Sequence, residues 1–239
     1  MSGSQTTVAT ICQTLSEKIA AGGYSATGRL PSERTLSEQF GTTRITLRES
    51  LSQLEAQGLI YREVRRGWFI SPPRLLYNPL QRSHFHAMAL EQGRHAKTEL
   101  IDACQLIGSD DLCQKLALPP QSALYCIRRI RYIDGRAVLY VEHYLNPQFF
   151  PEIIHDDLTK SLTDLYLSRY GVRYGRVRFD MVPTRLPPEA CDALKIALGS
   201  PALFITRINR DQRDRVIDCD LEYWRYDALH IDVEVSGGA

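Results

Sequence analysis

The sequence predicts an α+β protein of two domains joined by a linker. Residues 1–71 show three short amphipathic helices followed by a β-hairpin. Residues 84–239 alternate strands with helices, and hairpin turns between the strands favour a mainly antiparallel sheet over a doubly wound one. Residues 72–83 are punctuated by prolines, which is typical of a linker. The chain is long enough for each domain to bury a core of its own.

The amino-acid composition limits which binding partners and which cellular compartment we expect for the protein. The net charge is +1 and the pI is about 7.6, so a nucleic-acid partner would have to bind a local basic patch. No apolar run approaches the roughly 20 residues of a membrane span, and the N-terminus lacks the pattern of a secretory signal. We therefore expect a cytoplasmic protein with no membrane partner. The six cysteines are widely spaced without a C-x-x-C pair, which predicts reduced, buried thiols, no metal site and no cofactor.

Start and stop signals place the first three helices. The first spans residues 8–21, and the second ends at Gly41. Either Thr42 or Thr43 can cap the third helix, because each hydroxyl can accept a hydrogen bond from an exposed backbone N–H. Gly58 ends that helix. A turn of about four residues therefore separates the second helix from the third, which is the helix-turn-helix arrangement.

The third helix carries two arginines near its N-terminus, where the helix dipole disfavours cations. Arg44 and Arg48 lie one turn apart on one face, and three leucines mark another face: Leu47, Leu51 and Leu54. Isolated surface arginines are common, so charge alone favours a face that meets only solvent. In a helix-turn-helix, however, the second helix can lie in the DNA major groove. The combination predicts that both arginines bind phosphates or base edges of double-stranded DNA.

The hairpin that follows would form a wing beside this helix. It spans residues 59–71 and has a basic turn, Arg65-Arg66-Gly67. We predict that the two arginines lie near a flanking minor groove or phosphates, and that the glycine permits close approach to them.

The stretch LPSERTLSEQFGTTRITLRESLSQLEAQGLIYREVRRGWFI resembles the winged-helix domain of GntR-type bacterial transcriptional regulators. That family typically carries L-P-S-E-R-x-L-A, then V-S-R-x-T-V-R-x-A-L, then G-x-G-x-F-V. The resemblance implies DNA contact by residues of the second helix, the recognition helix and the wing tip: Glu33, Arg34, Thr43, Arg44, Thr46, Arg48 and Gly67. One position departs, because Arg65 stands where the family usually has its first wing glycine. This departure implies a stiffer and more cationic wing.

The rest of the chain is similar to HutC-like members of that family, whose effector (UTRA) domain has a chorismate-lyase-like fold. The similarity is carried by RRIRYIDGRAVLYVEHYLNPQFFP, LTKSLTDLYLSRYG and the closing RYDALHIDV. It implies a ligand pocket lined by residues from several separate segments: His86, Arg129, Arg131, Glu142, Ser161, Asp218 and Trp224. At residue 86 a small polar side chain would be expected, so the histidine there either donates to an anion or packs.

Two side-chain patterns bear on what such a pocket would bind. Arg129 and Arg131 are two residues apart in a strand and point to one face, where they require either an anion or acidic partners. A second strand places an acidic row and an aromatic ring on one face: Asp218, Asp220, Glu222 and Trp224. This row suits an ammonium group or a solvated strand edge. If both patterns face one pocket, the effector is a small zwitterion, and the chain is loosely similar to regulators of 2-aminoethylphosphonate breakdown.

The leading prediction is a transcriptional repressor that binds a palindromic operator as a homodimer and is controlled by a small anionic or zwitterionic effector. The alternative is an enzyme that acts on a small anionic substrate through the chorismate-lyase-like domain. The sequence has no nucleophile elbow, no phosphate-binding glycine loop and no metal-ligand spacing, so we predict no catalytic residue. A third class is an adaptor whose winged helix binds protein.

Overall fold

A computed structural model describes residues 7–24, 28–63, 65–81 and 84–234. The chain forms two compact units. The N-terminal unit comprises Met1–Pro73 with Lys195–Ala197, and the C-terminal unit comprises Arg74–Leu194 with Leu198–Ala239. No helix within the described ranges is both long and apolar enough to cross a membrane.

The N-terminal unit contains the three helices and the hairpin that the sequence predicts. Its elements are α1 (Val8–Ala20), α2 (Glu33–Phe40), α3 (Arg44–Ala56), β1 (Ile60–Glu63) and β2 (Gly67–Ile70). The cap of α3 is Thr43, whose hydroxyl accepts a hydrogen bond from the backbone N–H of Thr46 at 3.2 Å. Gly41 has φ +56°, a left-handed conformation that ends α2 without a steric penalty.

The leucine face of α3 seats this helix in the core of the N-terminal unit. Leu47, Leu51 and Leu54 are fully buried among side chains from α1, α2 and the hairpin. Burial of each such side chain contributes about 1.5–3 kcal/mol. The leucines therefore fix α3, which leaves its other face open to solvent.

The C-terminal unit is built on one large sheet. Its elements are β3 (Leu75–Tyr77), α4 (Phe85–Glu91), β4 (Ala96–Ile107), α5 (Asp110–Lys115), β5 (Ala123–Ile133), β6 (Arg136–Leu145), α6 (Leu162–Tyr170), β7 (Tyr174–Arg185), α7 (Pro188–Leu194), β8 (Pro201–Asp211), β9 (Val216–Arg225) and β10 (Leu229–Ile231). The sheet has the order β4-β5-β6-β9-β8-β7, with every neighbouring pair antiparallel. The predicted α+β class with a mainly antiparallel sheet is confirmed.

The proline-punctuated segment 72–83 is only partly a linker. Its residues 75–77 form β3, which pairs in parallel with β10. Leu75 and Tyr77 are buried in the core of the C-terminal unit, because alternate residues of a strand point to the same face. Prolines on both sides hide this three-residue strand in the sequence. Residues 82–83 lie outside the described ranges.

Three further local features differ from the sequence prediction. The stretch PPEACDALKIALG, which opens with two prolines, predicts a helix over 187–199, whereas α7 ends at Leu194, where Lys195 adopts φ +55°. Residues 84–121, to which no element was assigned, contribute α4, the edge strand β4 and α5. The strand β5 changes register against β6 after Arg131, which the sequence does not indicate.

Candidate functional site

The arginines of α3 differ in how they are held. The Arg44 side chain is exposed and pairs with none of the carboxylates that the structure describes. Arg48 is 65% exposed, and its Nε donates to Glu33 Oε2 at 2.8 Å. Glu33 also accepts a hydrogen bond from Trp68 Nε1 at 3.1 Å, so it joins α2, α3 and β2. Burial raises the pKa of Glu33, but the bonds from Arg48 and Trp68 outweigh it and lower that pKa overall. Glu33 thus orients Arg48.

The other polar residues of this region also have internal partners. The Thr43 and Thr46 hydroxyls lie 3.0 Å apart and form the cap of α3. Arg34 pairs with Glu38 at 3.3 Å along the solvent side of α2. Thr43 and Arg34 are exposed and Thr46 is half-buried, so all three remain accessible to a ligand beside the helix.

The wing has a strained and cationic tip. Arg65 adopts φ +65° and Gly67 adopts φ +103°, so the chain is left-handed at the position where the resemblance expects glycine. Arg66 forms an ion pair with Glu63, and its guanidinium lies 5.2 Å from the Phe69 ring centroid. Val64 lies outside the described residues.

Arg29 is a wing cation that the sequence analysis missed. Its guanidinium lies 5.8 Å from the Phe69 ring centroid. A Cβ at Gly67 would lie 3.4 Å from Arg29 Nη2, so the glycine also makes room for this arginine. A β-bridge between Arg29 and Phe69 fixes this arrangement, and such a long-range pairing leaves no local signal in the sequence.

The C-terminal unit encloses a cavity of about 90 Å³, which we call the cationic cavity. Four cationic side chains line it: Arg129, Arg131, Lys160 and Arg207. Aromatic walls come from Tyr77, Phe85, Tyr174 and Phe179, and small hydroxyls come from Thr98, Ser161 and Thr163. Asp220 is its one carboxylate among the described residues.

Arg129 is 1% exposed and makes four hydrogen bonds within the fold. Its Nε and Nη2 donate to His143 Nε2 at 3.1 and 2.8 Å. Its Nη1 donates to the backbone carbonyls of Leu158 and Lys160 at 3.2 and 2.9 Å. Burial and the nearby charge of Arg131 lower the pKa of Arg129 to about 9, so the guanidinium stays protonated at neutral pH.

His143 connects Arg129 to Asp220. Because His143 Nε2 accepts from Arg129, its Nδ1 carries the proton and donates to Asp220 Oδ1 at 2.6 Å. Burial and the Arg129 charge lower the pKa of His143 to about 3, so the imidazole is neutral. Burial raises the pKa of Asp220, but His143 and Arg207 lower it below its ordinary value.

Arg131 differs from its neighbour two residues away. It is half-buried, and its guanidinium carbon lies 4.9 Å from the Phe85 ring centroid. Its Nε has no hydrogen-bond partner, and none of the described carboxylates forms an ion pair with it. Burial lowers the pKa of Arg131. An unpaired guanidinium at the wall of a cavity is costly unless an anion binds it.

The acidic row of β9 is buried, and its carboxylates are hydrogen-bonded to other side chains of the fold. Glu222 accepts from Arg207 Nη1 at 3.1 Å and from Trp224 Nε1 at 2.8 Å. Asp218 accepts from Asn209 and from the Tyr174 hydroxyl, the latter at 3.0 Å. The expectation of a solvated strand edge is wrong, because β9 lies between β6 and β8 inside the sheet.

Two family models match the chain. The model described as bacterial regulatory proteins, gntR family, matches residues 7–70. The UTRA domain model matches residues 91–230, more than half of the chain. This chain belongs to the GntR family.

Relatives of this GntR protein along nearly its whole length are also transcriptional regulators. It is 31% identical over 232 residues to the HTH-type transcriptional regulator YihL of Escherichia coli (strain K12), covering 97% of this chain and 98% of YihL. It is 27% identical over 198 residues to the HTH-type transcriptional repressor NagR of Bacillus subtilis (strain 168), covering 82% and 81%. The solved structure of PhnF from Mycobacterium smegmatis matches with a TM-score of 0.66 and 22% identity, covering 88% of this chain and 93% of that one. This last likeness shows the fold. The protein is a DNA-binding transcriptional regulator with a UTRA effector domain.

Four of the seven residues expected in the pocket of this GntR protein line the cationic cavity: His86, Arg129, Arg131 and Ser161. Ser161 caps α6, with its hydroxyl accepting from the Asp164 N–H at 3.3 Å. His86 Nε2 lies 2.9 Å from Thr98 Oγ1. Burial and the charge of Arg131 lower the pKa of His86, which favours a neutral ring.

The other three expectations are corrected. Glu142 points to the opposite face of β6 from His143, where it accepts from Arg128 and from the hydroxyls of Tyr140 and Tyr144. Asp218 lies behind Tyr174, and Trp224 lies behind Phe85 with ring centroids 6.2 Å apart. These two residues therefore support cavity-lining rings without lining the cavity themselves.

Sequence reasoning missed several cavity residues: Phe85, His143, Lys160, Tyr174 and Arg207. Arg207 in β8 and Asp220 in β9 are cross-strand partners. This register between the two strands cannot be read from the sequence. The described part of the chain contains no cluster of His, Cys, Asp or Glu arranged to bind a metal ion.

Proposed function

We propose that this GntR protein is a repressor that binds a palindromic operator as a homodimer and responds to a small anionic effector in the cationic cavity. The observation that carries the effector half is Arg131, a half-buried guanidinium without an ion-pair partner among the described residues. The protein acts in the cytoplasm, where its DNA is, and it binds the effector without converting it.

The charges of the cavity support an anion. Arg207 is compensated by Glu222 and Asp220, and Lys160 by Asp157 at 3.3 Å. Arg131 forms no ion pair with a described carboxylate, although the charges of Glu222 and Asp220 act on it from a distance. Its guanidinium packs on Phe85, and its Nε has no hydrogen-bond partner, so an anion that bound there would supply one. A phosphate, phosphonate or carboxylate group carries suitable acceptor oxygens.

An ammonium group on the effector finds no matching site. Among the cavity carboxylates and those directly behind the wall, Asp218, Asp220 and Glu222 all accept hydrogen bonds from other side chains. We therefore favour an anion over a zwitterion. 2-Aminoethylphosphonate remains the compound that tests this choice, because methylphosphonate offers the same anionic group without the ammonium.

The DNA-binding half rests on the exposed cations of α3 and the wing. Arg44 and Arg48 would meet phosphates or base edges in the major groove, beside the hydroxyls of Thr43 and Thr46. Arg34 would contact the backbone, whereas Glu33 would act by orienting Arg48. At the wing, Arg65, Arg66 and Gly67 would approach the flanking groove.

Segment 77–81 offers a route between the two functions. Tyr77, Pro79 and Gln81 line the cationic cavity, and they follow the boundary at Pro73 by only a few residues. An effector that contacts them would favour one conformation of the segment over others. Operator affinity would then change by a population shift.

A thermal-shift and calorimetric screen of the full chain tests the effector proposal. The panel contains inorganic phosphate, methylphosphonate, 2-aminoethylphosphonate, phosphorylated sugars and uncharged sugars. We expect anions to raise Tm and uncharged sugars not to. Arg131→Met should abolish the response, and Arg178→Met, an exposed arginine of β7, is the matched control. Equal responses of the Arg131 and Arg178 variants would refute the proposal.

A further inference from the structure

The two arginines of β5 that line the cationic cavity are not equivalent. Arg129 is 1% exposed, whereas Arg131 is half-buried. Arg129 makes four hydrogen bonds inside the protein, and the Nε of Arg131 makes none. A guanidinium has five N–H groups, so Arg129 has at most one left for a ligand.

The hydrogen bonds of Arg129 reach a wall of the cavity. Its Nη1 donates to the carbonyls of Leu158 and Lys160, which lie three residues and one residue before Ser161. Ser161 caps α6, and it lines the cavity together with Lys160 and Thr163. The position of this wall therefore depends on the position of Arg129.

Arg129 is in turn oriented from behind. Its Nε and Nη2 both donate to the single acceptor of a neutral His143, whose Nδ1–H donates to Asp220. Asp220 is also held by Asn209 at 3.2 Å. This chain of contacts fixes the guanidinium plane and directs Nη1 at the two carbonyls.

We infer that Arg129 is a positioning residue that holds residues 158–160 in place through His143 and Asp220, and that Arg131 alone of the two arginines binds the effector's anionic group. The second clause rests on the proposed function. The first clause concerns the ligand-free protein and can be tested without any effector.

Hydrogen–deuterium exchange on the full, ligand-free chain tests the role of Arg129. The readout is the set of amides that report on this wall: Lys160, Asp164 and Leu165, which bond to Asp157 and Ser161. Arg129→Met and His143→Leu should speed their exchange, and Arg131→Met should not. His143→Gln should restore slow exchange, because its amide oxygen can accept from Arg129. Exchange at the amides of Cys113 in α5 and Leu116 just after it, which belong to the same unit but do not line the cavity, reports whether a variant has lost the fold of the C-terminal unit.

Calorimetric titration with inorganic phosphate tests the division between the two arginines. Arg131→Met should weaken phosphate binding by about tenfold to a hundredfold, the range for a lost charge-assisted hydrogen bond. His143→Leu should weaken it less, and His143→Gln should recover it. If Arg129 were a direct ligand, His143→Leu would free its N–H groups and phosphate affinity would hold or increase.

The outcomes separate the two proposals. Unchanged exchange at the three amides in Arg129→Met and His143→Leu overturns the positioning role. Phosphate affinity that survives Arg131→Met, or that rises in His143→Leu, overturns the division of roles. A wild-type protein that binds no anion overturns the proposed function, and the exchange result still decides the role of Arg129.

Discussion

The arginines of the N-terminal unit and those of the cationic cavity are held in opposite ways. Arg44 and Arg48 stand on one exposed face of a short helix, and Arg48 is 65% exposed even with its partner Glu33. Arg129 is 1% exposed and tied to neighbours from β6 and the loop before α6. The first group contacts mainly water, and the second replaces water with fixed protein partners.

Because of this difference, substitutions in the two groups of arginines should affect ligand binding and protein stability in different proportions. An exposed arginine contributes little to the stability of the fold, so its substitution should change DNA binding alone. A buried charge that loses its partner destabilises the protein by several kcal/mol, so substitutions around the cavity should change stability and ligand binding together. Arg131 lies between these limits, because it is half-buried but lacks a partner within the described chain.

The largest expected effect comes from removing Asp220. Asp220→Ala deprives both His143 and Arg207 of a buried partner, so we expect the free energy of unfolding to fall by about 3–5 kcal/mol. Urea unfolding followed by circular dichroism measures this loss. Asp111→Ala is the control, since Asp111 lies in helix α5, is 71% exposed and pairs with Lys115. Equal midpoints for the two variants would show that the buried network does not stabilise the fold.

Substitution of the α3 arginines should leave stability unchanged and weaken DNA binding. Arg44→Ala and Arg48→Ala should each cost about 1–3 kcal/mol of operator affinity and lower the salt slope by about one. Fluorescence anisotropy at several salt concentrations provides both quantities, on a duplex selected from a random library by the full chain. Arg178→Ala serves as the control. Unaltered affinity in both α3 variants would contradict the recognition-helix assignment.

Acid should destabilise the C-terminal unit through His143. Its pKa is lowered to about 3 in the folded protein, below the ordinary value near 6.5, so the unfolded chain binds the proton more readily. The unfolding free energy should therefore fall as the pH drops from about 6.5 towards 3, by up to about 1.4 kcal/mol per pH unit. His143→Gln should flatten this dependence. The exposed His155→Gln should keep the wild-type slope, and a flattening of equal size there would argue against a buried neutral His143.

The smallest expected effect is at the wing tip. Arg65 adopts a left-handed φ of +65°, so Arg65→Gly should relieve about 1 kcal/mol of backbone strain and raise Tm slightly. The same change removes a cation from the wing and should weaken operator binding. A higher Tm together with a weaker operator affinity would separate the effect of the Arg65 backbone conformation from the effect of its charge. A lower Tm for Arg65→Gly than for wild type would contradict the claim that the backbone is strained at this residue.

The two units also differ in how much the sequence alone could predict. The N-terminal unit was predictable because its signals are local: the cap Thr43, the left-handed Gly41 and the leucine spacing of α3. The fold class of the C-terminal unit was predictable from hairpin turns such as Asp134-Gly135, both of which have positive φ.

The cavity was predictable only in part. The spacing of Arg129 and Arg131 placed both on one face, but which of them has internal partners depends on the register between β5, β6 and β9. The acidic row of β9 resembled a solvated edge, because its neutralising partner Arg207 lies on a different strand. Such pairings between residues far apart in the sequence produce no periodic pattern from which they could be predicted.

The most direct test follows the response of operator binding to an anion in two proteins. The anisotropy of the selected duplex would be measured for wild type and Arg131→Met while the anion with the largest thermal shift is titrated. Our account predicts equal operator affinity without the anion, and a change in affinity on titration for wild type alone. A variant that responds as fully as wild type, or a wild type whose operator affinity no anion of the panel alters, would contradict it.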